Sequence, residues 1–201
     1  MKNIAVLISD GGTGSNLQAI IDAVESKKIN LKIAVVVSDT PKALGLIRAK
    51  KHHLPTLIFD GTSKLEKILK SHKVKLIALT GWKKIISDGM ISTYKNAILN
   101  VHPGLIPDTM NGTVLNPDGT KALWNKGKYT TAAIGNFLDK KATYAGSSIH
   151  FLSHEFDFGP VLARCFEKIK PTDTVESLYG RLKKKEHEMY VQILGNYSNN
   201  L

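Results

Sequence analysis

The fold is indicated first by the stretch Asn3-Ile4-Ala5-Val6-Leu7-Ile8-Ser9-Asp10-Gly11-Gly12-Thr13-Gly14-Ser15-Asn16-Leu17. Its first seven residues form an apolar run, which is typical of a strand buried on both faces in a parallel sheet. A glycine-rich turn follows, and apolar residues then recur at helical spacing from Leu17 to Val24. This order of strand, loop and helix predicts the first unit of an α/β domain.

Strands and helices continue to alternate over the first hundred residues. Apolar runs predict further strands at 31–38, 55–59, 75–79 and 98–101, with helical patterns between them. Thr40, followed by Pro41, is predicted to cap the N-terminus of the second helix. The alternation predicts a Rossmann-like α/β fold, in which an open, mostly parallel twisted sheet carries helices on both faces.

The alternation is interrupted between residues 108 and 145. Short segments typical of turns occur there at Asn111-Gly112, Asn116-Pro117-Asp118-Gly119 and Lys126-Gly127-Lys128. Beyond them we predict strands at 147–152 and 161–168 and a helix from about Val175 to Tyr190. The length of 201 residues suits one domain.

Composition excludes several classes of protein. Apolar residues make up 42% of the chain, so we expect a folded rather than a disordered protein. No apolar run reaches the roughly 20 residues of a membrane span, and no signal peptide is recognisable. The single cysteine, Cys165, is compatible with a reducing compartment, and we expect a soluble cytoplasmic protein.

The net charge of +11 raises the question of a nucleic-acid partner. Lysines are spread along the chain, however, and aromatic residues make up only 7% and are not interleaved with the basic clusters. A basic surface also suits a small anionic substrate. We therefore expect small-molecule substrates rather than a nucleic acid or a membrane as partners, and a monomer or homodimer as the assembly.

Two polar side chains mark the end of the fifth predicted strand. Asn100 and His102 are two residues apart, so they share one side of the strand, and Pro103 ends it. An amide N–H can donate to a developing oxyanion, and an imidazole can carry a proton. The alternative is a turn-forming Asn beside a surface His.

A carboxylate completes a candidate catalytic set. Asp157 lies in a loop closed by Gly159-Pro160, after a predicted strand that carries His150. Loops on a rigid scaffold are the usual location of catalytic groups. Asn100, His102 and Asp157 together could supply an oxyanion donor, an imidazole and a carboxylate that sets the protonation of that imidazole.

These segments resemble the phosphoribosylglycinamide (glycinamide ribonucleotide) formyltransferase family of folate-dependent formyltransferases. The resemblance is carried by residues 4–9 and 14–22, by Asn100-Val101-His102-Pro103, by residues 148–160 and by the helix at 175–190 with Glu186-His187. It implies the formyltransferase fold and transfer of a formyl group from 10-formyltetrahydrofolate to the amine of glycinamide ribonucleotide in purine biosynthesis. The folate is a co-substrate, and no metal is expected.

The resemblance also assigns roles to individual residues. It implies catalysis by Asn100, His102 and Asp157, with His102 kept protonated by Asp157 as a second oxyanion donor. The substrate phosphate would bind to Gly14, Ser15, Asn16, Lys183 and Glu186. The folate would contact Trp82, Lys83, Lys84, Ile85, Ile86, His154, Glu155 and Phe156. The chain would then divide into a nucleotide-binding and phosphate-binding half at 1–101 and a folate-binding and catalytic half at 102–201.

The sequence departs from the family in three places. The usual loop Ser-Gly-x-Gly-Ser-Asn is two residues longer here, and Asp10 adds a negative charge near the expected phosphate. The Met-Arg-Ile-Leu pattern of the folate segment is replaced by Lys83-Lys84-Ile85-Ile86. Extra residues are expected near 108–119 and 128–145. These departures leave the acceptor amine open.

Four other functions remain as alternatives. The same catalytic residues would serve a formyltransferase acting on another amine, such as an amino-sugar nucleotide, or a 10-formyltetrahydrofolate hydrolase. A nucleotide-binding or nucleic-acid-binding module would explain the charge and the glycine loop only. An NAD-dependent dehydrogenase with Asp39 as the ribose ligand lacks the third glycine of the dinucleotide fingerprint.

Overall fold

The computed structural model describes residues 1–61 and 64–199. Its strands are β1 (Lys2–Ile8), β2 (Leu31–Ser38), β3 (Thr56–Ile58), β4 (Val74–Leu79), β5 (Ile98–His102), β6 (Tyr144–Phe151) and β7 (Val161–Lys168). Its helices are α1 (Ser15–Glu25), α2 (Leu44–Lys51), α3 (Leu65–Ser71), α4 (Asp88–Thr93), α5 (Thr130–Asp139) and α6 (Val175–Asn199).

The strands form one open sheet in the order β3-β2-β1-β4-β5-β6-β7. β1 pairs in parallel with both β2 and β4, and β2–β3 and β4–β5 are also parallel, whereas β6 and β7 are antiparallel. The prediction of an open, mostly parallel α/β sheet is therefore confirmed. The chain leaves β1 towards β2 and later returns to its other side as β4, and the crevice at such a switch point is where ligands bind in open α/β sheets.

The chain divides into two compact units. The first contains residues 1–100 together with the chain from Tyr190 onward. Its core is built on β1, whose residues from Ile4 to Ile8 are all buried, and on the apolar face of α1. The fully buried Tyr190 donates its hydroxyl proton towards Leu79 O and Leu99 O, which lie 3.2 and 3.4 Å from its oxygen. This contact fixes β5 at the residue before Asn100.

The second unit contains residues 101–189. Buried side chains of α5 (Ile134 and Phe137) and of α6 (Leu178 and Leu182) form its core together with Leu105. Helix α5 lies in the segment between 108 and 145, where the sequence pattern predicts only turns. Its apolar residues nevertheless follow helical spacing, and that pattern could have revealed the helix.

The predicted start of α2 is wrong. The helix begins at Leu44, and Ala43 rather than Thr40 holds its N-cap position. The Thr40 Oγ1 atom accepts from Lys42 N at 3.3 Å, and Thr40 O accepts from the Ser38 hydroxyl. Thr40 thus stabilises a turn after β2, which is the competing structure that threonine favours.

Candidate active site

Asn100 and His102 lie on β5 two residues apart, as the sequence predicted. Alternation along a strand places their side chains on the same side. Asn100 is partly exposed, whereas His102 is 2% exposed. The strand therefore presents an accessible amide next to an imidazole that is shielded from water.

The His102 ring is held by a backbone carbonyl that the sequence did not indicate. Its Nε2 lies 2.7 Å from Trp124 O, and because a carbonyl only accepts, Nε2 carries the proton and donates. The other ring nitrogen, Nδ1, lies 3.8 Å from Asp157 Oδ1. The imidazole therefore points its unprotonated nitrogen towards the carboxylate.

The structure gives no support to the prediction that Asp157 keeps His102 protonated. Burial lowers the pKa of His102 below its ordinary value of 6.5, and this effect outweighs the raising effects of Asp157 and of the Trp124 carbonyl. A neutral imidazole has one N–H, which Trp124 O already accepts. His102 consequently offers no second donor to an oxyanion in this state.

Asp157 is fixed in an unusual backbone conformation. Its φ is 49°, a left-handed value that aspartate tolerates better than most residues. Its Oδ2 accepts from Gly127 N at 2.7 Å, and its carbonyl accepts from Trp124 Nε1 at 3.1 Å. With 18% of its side chain exposed, Asp157 is the member of the pair with His102 that a substrate can reach.

The segment at 124–127 thus holds both His102 and Asp157, and it is anchored in turn by Asn125. This residue is 7% exposed, has a φ of 59° and donates to Pro103 O and Ala133 O. Its Oδ1 accepts from Asn136 Nδ2 at 2.7 Å. Sequence analysis identified none of these supporting roles. The only local signal was the turn pattern around Gly127.

Gly104 is the residue that allows the Trp124 carbonyl to approach His102. A Cβ at this position would lie 1.8 Å from Trp124 O. We expect Gly104→Ala to displace that carbonyl, to lower the free energy of unfolding by about 2–3 kcal/mol and to reduce kcat. Urea unfolding and steady-state kinetics check this. Gly180→Ala is the control, since a Cβ there meets nothing within 4 Å. Equal unfolding free energies and equal kcat values for the two variants would contradict the role given to Gly104.

His150 is a second buried histidine next to this pair. Its Nδ1 donates to Phe151 O at 3.0 Å. Burial, followed by the neighbouring His102, lowers the pKa of His150 to about 4, while Phe151 O and Asp157 raise it less. It is therefore neutral at physiological pH.

Because His150 is buried, we expect the free energy of unfolding to fall in mild acid. Because its pKa is lower in the folded than in the unfolded state, the unfolded chain binds more protons as the pH falls from about 6.5 to about 4. The free energy of unfolding should fall by roughly 3 kcal/mol across this window from this group. Denaturant unfolding of His150→Asn, which keeps a donor near Nδ1, should show a shallower pH dependence. An unchanged slope would contradict the prediction.

The glycine loop before α1 has the features of an anion site. Gly14 occupies the N-cap position of α1 with a φ of 68°, and the first helical turn has no acidic residue. Glycine has no capping side chain, so the helix N-terminus can receive a negatively charged group. The buried Asn16 Oδ1 has no hydrogen-bond partner. Arg48, which sequence analysis missed, donates to Thr13 O at 2.8 Å and steadies the loop.

Lys183 and Glu186 lie on α6 in the second unit. Lys183 Nζ stands 4.5 Å from the ring centroid of Tyr179, in cation–π geometry. Glu186 is 2% exposed and accepts a hydrogen bond from the Ser147 hydroxyl. This geometry gives no support to Glu186 as a phosphate ligand, and that role stays a prediction.

The predicted folate residues lie on two loops, one in each unit. In the first unit, the Trp82 ring packs beside Phe59, Ile86 is buried, and Ile85 is 92% exposed. Lys83 is paired with Asp10 in this unit, and Lys84 is exposed. In the second unit, His154, Glu155 and Phe156 are exposed in the loop after β6.

Within the described residues, no group of three or more His, Cys, Asp or Glu side chains is arranged to hold a metal ion. In the same part of the chain, no helix is both long and apolar enough to cross a membrane.

Similarity to known proteins identifies the family of this chain. Residues 2–194 match the family described as formyl transferase. The chain belongs to the formyl transferase family. It is 34% identical over 217 residues to a phosphoribosylglycinamide formyltransferase of Dictyostelium discoideum, covering 94% of this chain and 95% of that protein. The Bacillus subtilis enzyme of the same name is 29% identical, with 96% and 93% covered.

A solved structure shows the same relationship. The glycinamide ribonucleotide transformylase 1 of Symbiobacterium toebii superimposes with a TM-score of 0.84 at 30% identity, covering 99% of this chain and 88% of that one. The resemblance to this family of formyl transferases and the fold predicted with it are therefore confirmed. The roles of individual residues stay predictions.

Proposed function

We propose that this chain transfers a formyl group from 10-formyltetrahydrofolate to the primary amine of glycinamide ribonucleotide, a step of purine biosynthesis. The observation that carries the proposal is the set of Asn100, His102 and Asp157. Asn100 lies on β5 two residues before His102, and His102 Nδ1 lies 3.8 Å from Asp157 Oδ1. Relatives that are similar over nearly the whole chain are named phosphoribosylglycinamide formyltransferase, which supports this proposal.

The reaction needs one stabilised oxyanion. The amine nitrogen attacks the formyl carbon, and a C–N bond forms while the carbonyl electrons move to oxygen. In the proposed mechanism the Asn100 amide donates to that oxygen, since a preoriented donor acts where charge develops. Collapse of the tetrahedral intermediate re-forms the carbonyl and breaks the bond to N10 of the folate.

The reaction also moves one proton from the attacking amine to the departing N10. Asp157 is the exposed acceptor for this proton. His102 Nδ1 lies 3.8 Å from Asp157 Oδ1, which is too long for a hydrogen bond, and burial favours the neutral form of His102. In this proposal Asp157 takes the proton from the amine and passes it to N10.

The substrates would be held by the loops described above. The acceptor phosphate would bind to the α1 N-terminus at Gly14, Ser15 and Asn16, with Lys183 as a further cation. The folate would lie against residues 82–86 and 154–156. The formyl donor is a co-substrate, and the proposed steps require no metal. We place the enzyme in the cytoplasm, where the single Cys165 stays reduced.

An absorbance assay with 10-formyl-5,8-dideazafolate tests the proposal. We expect a signal that depends on added glycinamide ribonucleotide. A signal of equal size without the ribonucleotide would instead indicate a hydrolase. Binding of the folate analogue without turnover would indicate a different acceptor, such as an amino-sugar nucleotide.

A further inference from the structure

The two extra residues of the glycine loop are held by a side chain from another loop of the same unit. Lys83 Nζ donates to Asp10 Oδ1 at 2.9 Å and forms an ion pair with it. The backbone N–H of Lys83 donates to Ser9 Oγ at 2.9 Å. The loop after β4 therefore contacts the glycine loop through both its main chain and its side chain.

The Lys83 side chain also lies against the next residue of the loop. A Cβ on Gly11 would stand 3.1 Å from Lys83 Nζ, and Gly11 has a φ of 77°. Three consecutive residues, 9–11, thus contact a single lysine. Asp10 and Lys83 together form part of the wall of a pocket of about 310 Å³, which Asp39, Thr40 and Lys84 also line.

Asp10 lies four residues before Gly14, which is the N-cap residue of α1. Its charge is therefore close in sequence to the proposed phosphate site. Without a counter-charge, Asp10 would oppose a phosphate bound a few residues further along the loop. The lysine supplies that counter-charge and closes the longer loop against the loop after β4.

We propose that Lys83 is a positioning residue for acceptor binding, which neutralises Asp10 and fixes residues 9–11 so that the lengthened glycine loop keeps its affinity for phosphate. The inference rests on the proposed function, in which this loop receives the acceptor phosphate. Asp10 and Lys83 form a matched pair, in which Lys83 is needed because Asp10 is present.

The test is a double-mutant cycle. Lys83→Met exposes the charge of Asp10 on the loop proposed to bind the phosphate, and through partly screened solvent we expect the KM for glycinamide ribonucleotide to rise about three- to tenfold. The value of kcat should change less than about twofold. Asp10→Asn in the same chain should restore the KM, whereas Asp10→Asn alone should leave it equal or lower.

Two further variants separate this effect from general loss of charge. Lys83→Arg keeps the ion pair and should keep the KM. Lys51→Met removes an equal charge from the exposed end of α2 and should also leave it unchanged. An unchanged KM in Lys83→Met, or a raised KM that Asp10→Asn does not rescue, would overturn the proposal. A raised KM for the folate that is not rescued would assign Lys83 to folate binding alone.

Inorganic phosphate provides a readout that does not depend on turnover. Its dissociation constant, measured by calorimetry on the same variants, should rise in Lys83→Met and recover in the double variant. If the wild type binds phosphate in this pattern but does not turn over glycinamide ribonucleotide, the proposed acceptor fails and the role of Lys83 stands. If turnover occurs and phosphate affinity is equal in all variants, the role of Lys83 fails.

Discussion

Asp157→Asn is expected to lower kcat by about 10²–10⁴-fold, the usual contribution of a positioned proton acceptor. The amide cannot take the proton that the attacking amine must lose. The structure should survive, because asparagine tolerates the φ of 49° and its oxygen can still accept from Gly127 N. Single-turnover kinetics with saturating substrates measure the loss, and thermal unfolding checks the fold.

Asp139→Asn is the matched control for this change. Asp139 is an exposed carboxylate at the end of α5, so its replacement should leave kcat unchanged. A variant at 157 that retains more than a tenth of the wild-type kcat would show that the proton leaves by another route.

Asn100→Ala is expected to lower kcat by about 10²–10³-fold, as the loss of one oxyanion donor does in other enzymes. The donor acts only when the carbonyl oxygen becomes charged, so kcat and kcat/KM should fall together while the KM changes little. His102 cannot compensate, since its only N–H is donated to Trp124 O in the neutral state.

The control for the amide is Asn111→Ala. Asn111 is exposed in a turn of the second unit and should be replaceable without kinetic effect. If Asn100→Ala loses less than about fivefold in kcat, stabilisation of the oxyanion by this side chain is refuted.

The sequence pattern predicted β1, the common side of Asn100 and His102, and the position of the glycine loop, because each depends on neighbouring residues only. The run at 3–9 is buried because a central parallel strand is covered on both faces, and its hydrophobicity therefore identified β1. The spacing of Asn100 and His102 fixed their common side because strand periodicity is two. The glycine loop was located by its position between a strand and a helix.

Other parts depend on contacts that leave no mark in the sequence. Trp124 and Gly127 hold His102 and Asp157 mainly through backbone atoms, which every residue possesses. The pKa of His102 depends on its burial within the folded unit. The sequence shows only how many residues separate His102 from the Asp157 carboxylate. Nothing in the sequence alone pairs Lys83 with Asp10, because 73 residues separate them.

Formyl transfer to the amine of glycinamide ribonucleotide, with Asp157 as the proton acceptor, can be followed through the formyl carbon. The most direct measurement follows a ¹³C-labelled formyl group from 10-formyltetrahydrofolate by NMR in the presence of glycinamide ribonucleotide. We predict that the label appears as the formamide of the ribonucleotide with the wild type and stays on the folate with Asp157→Asn. Release of the label as formate, or equal transfer by both proteins, would contradict the account.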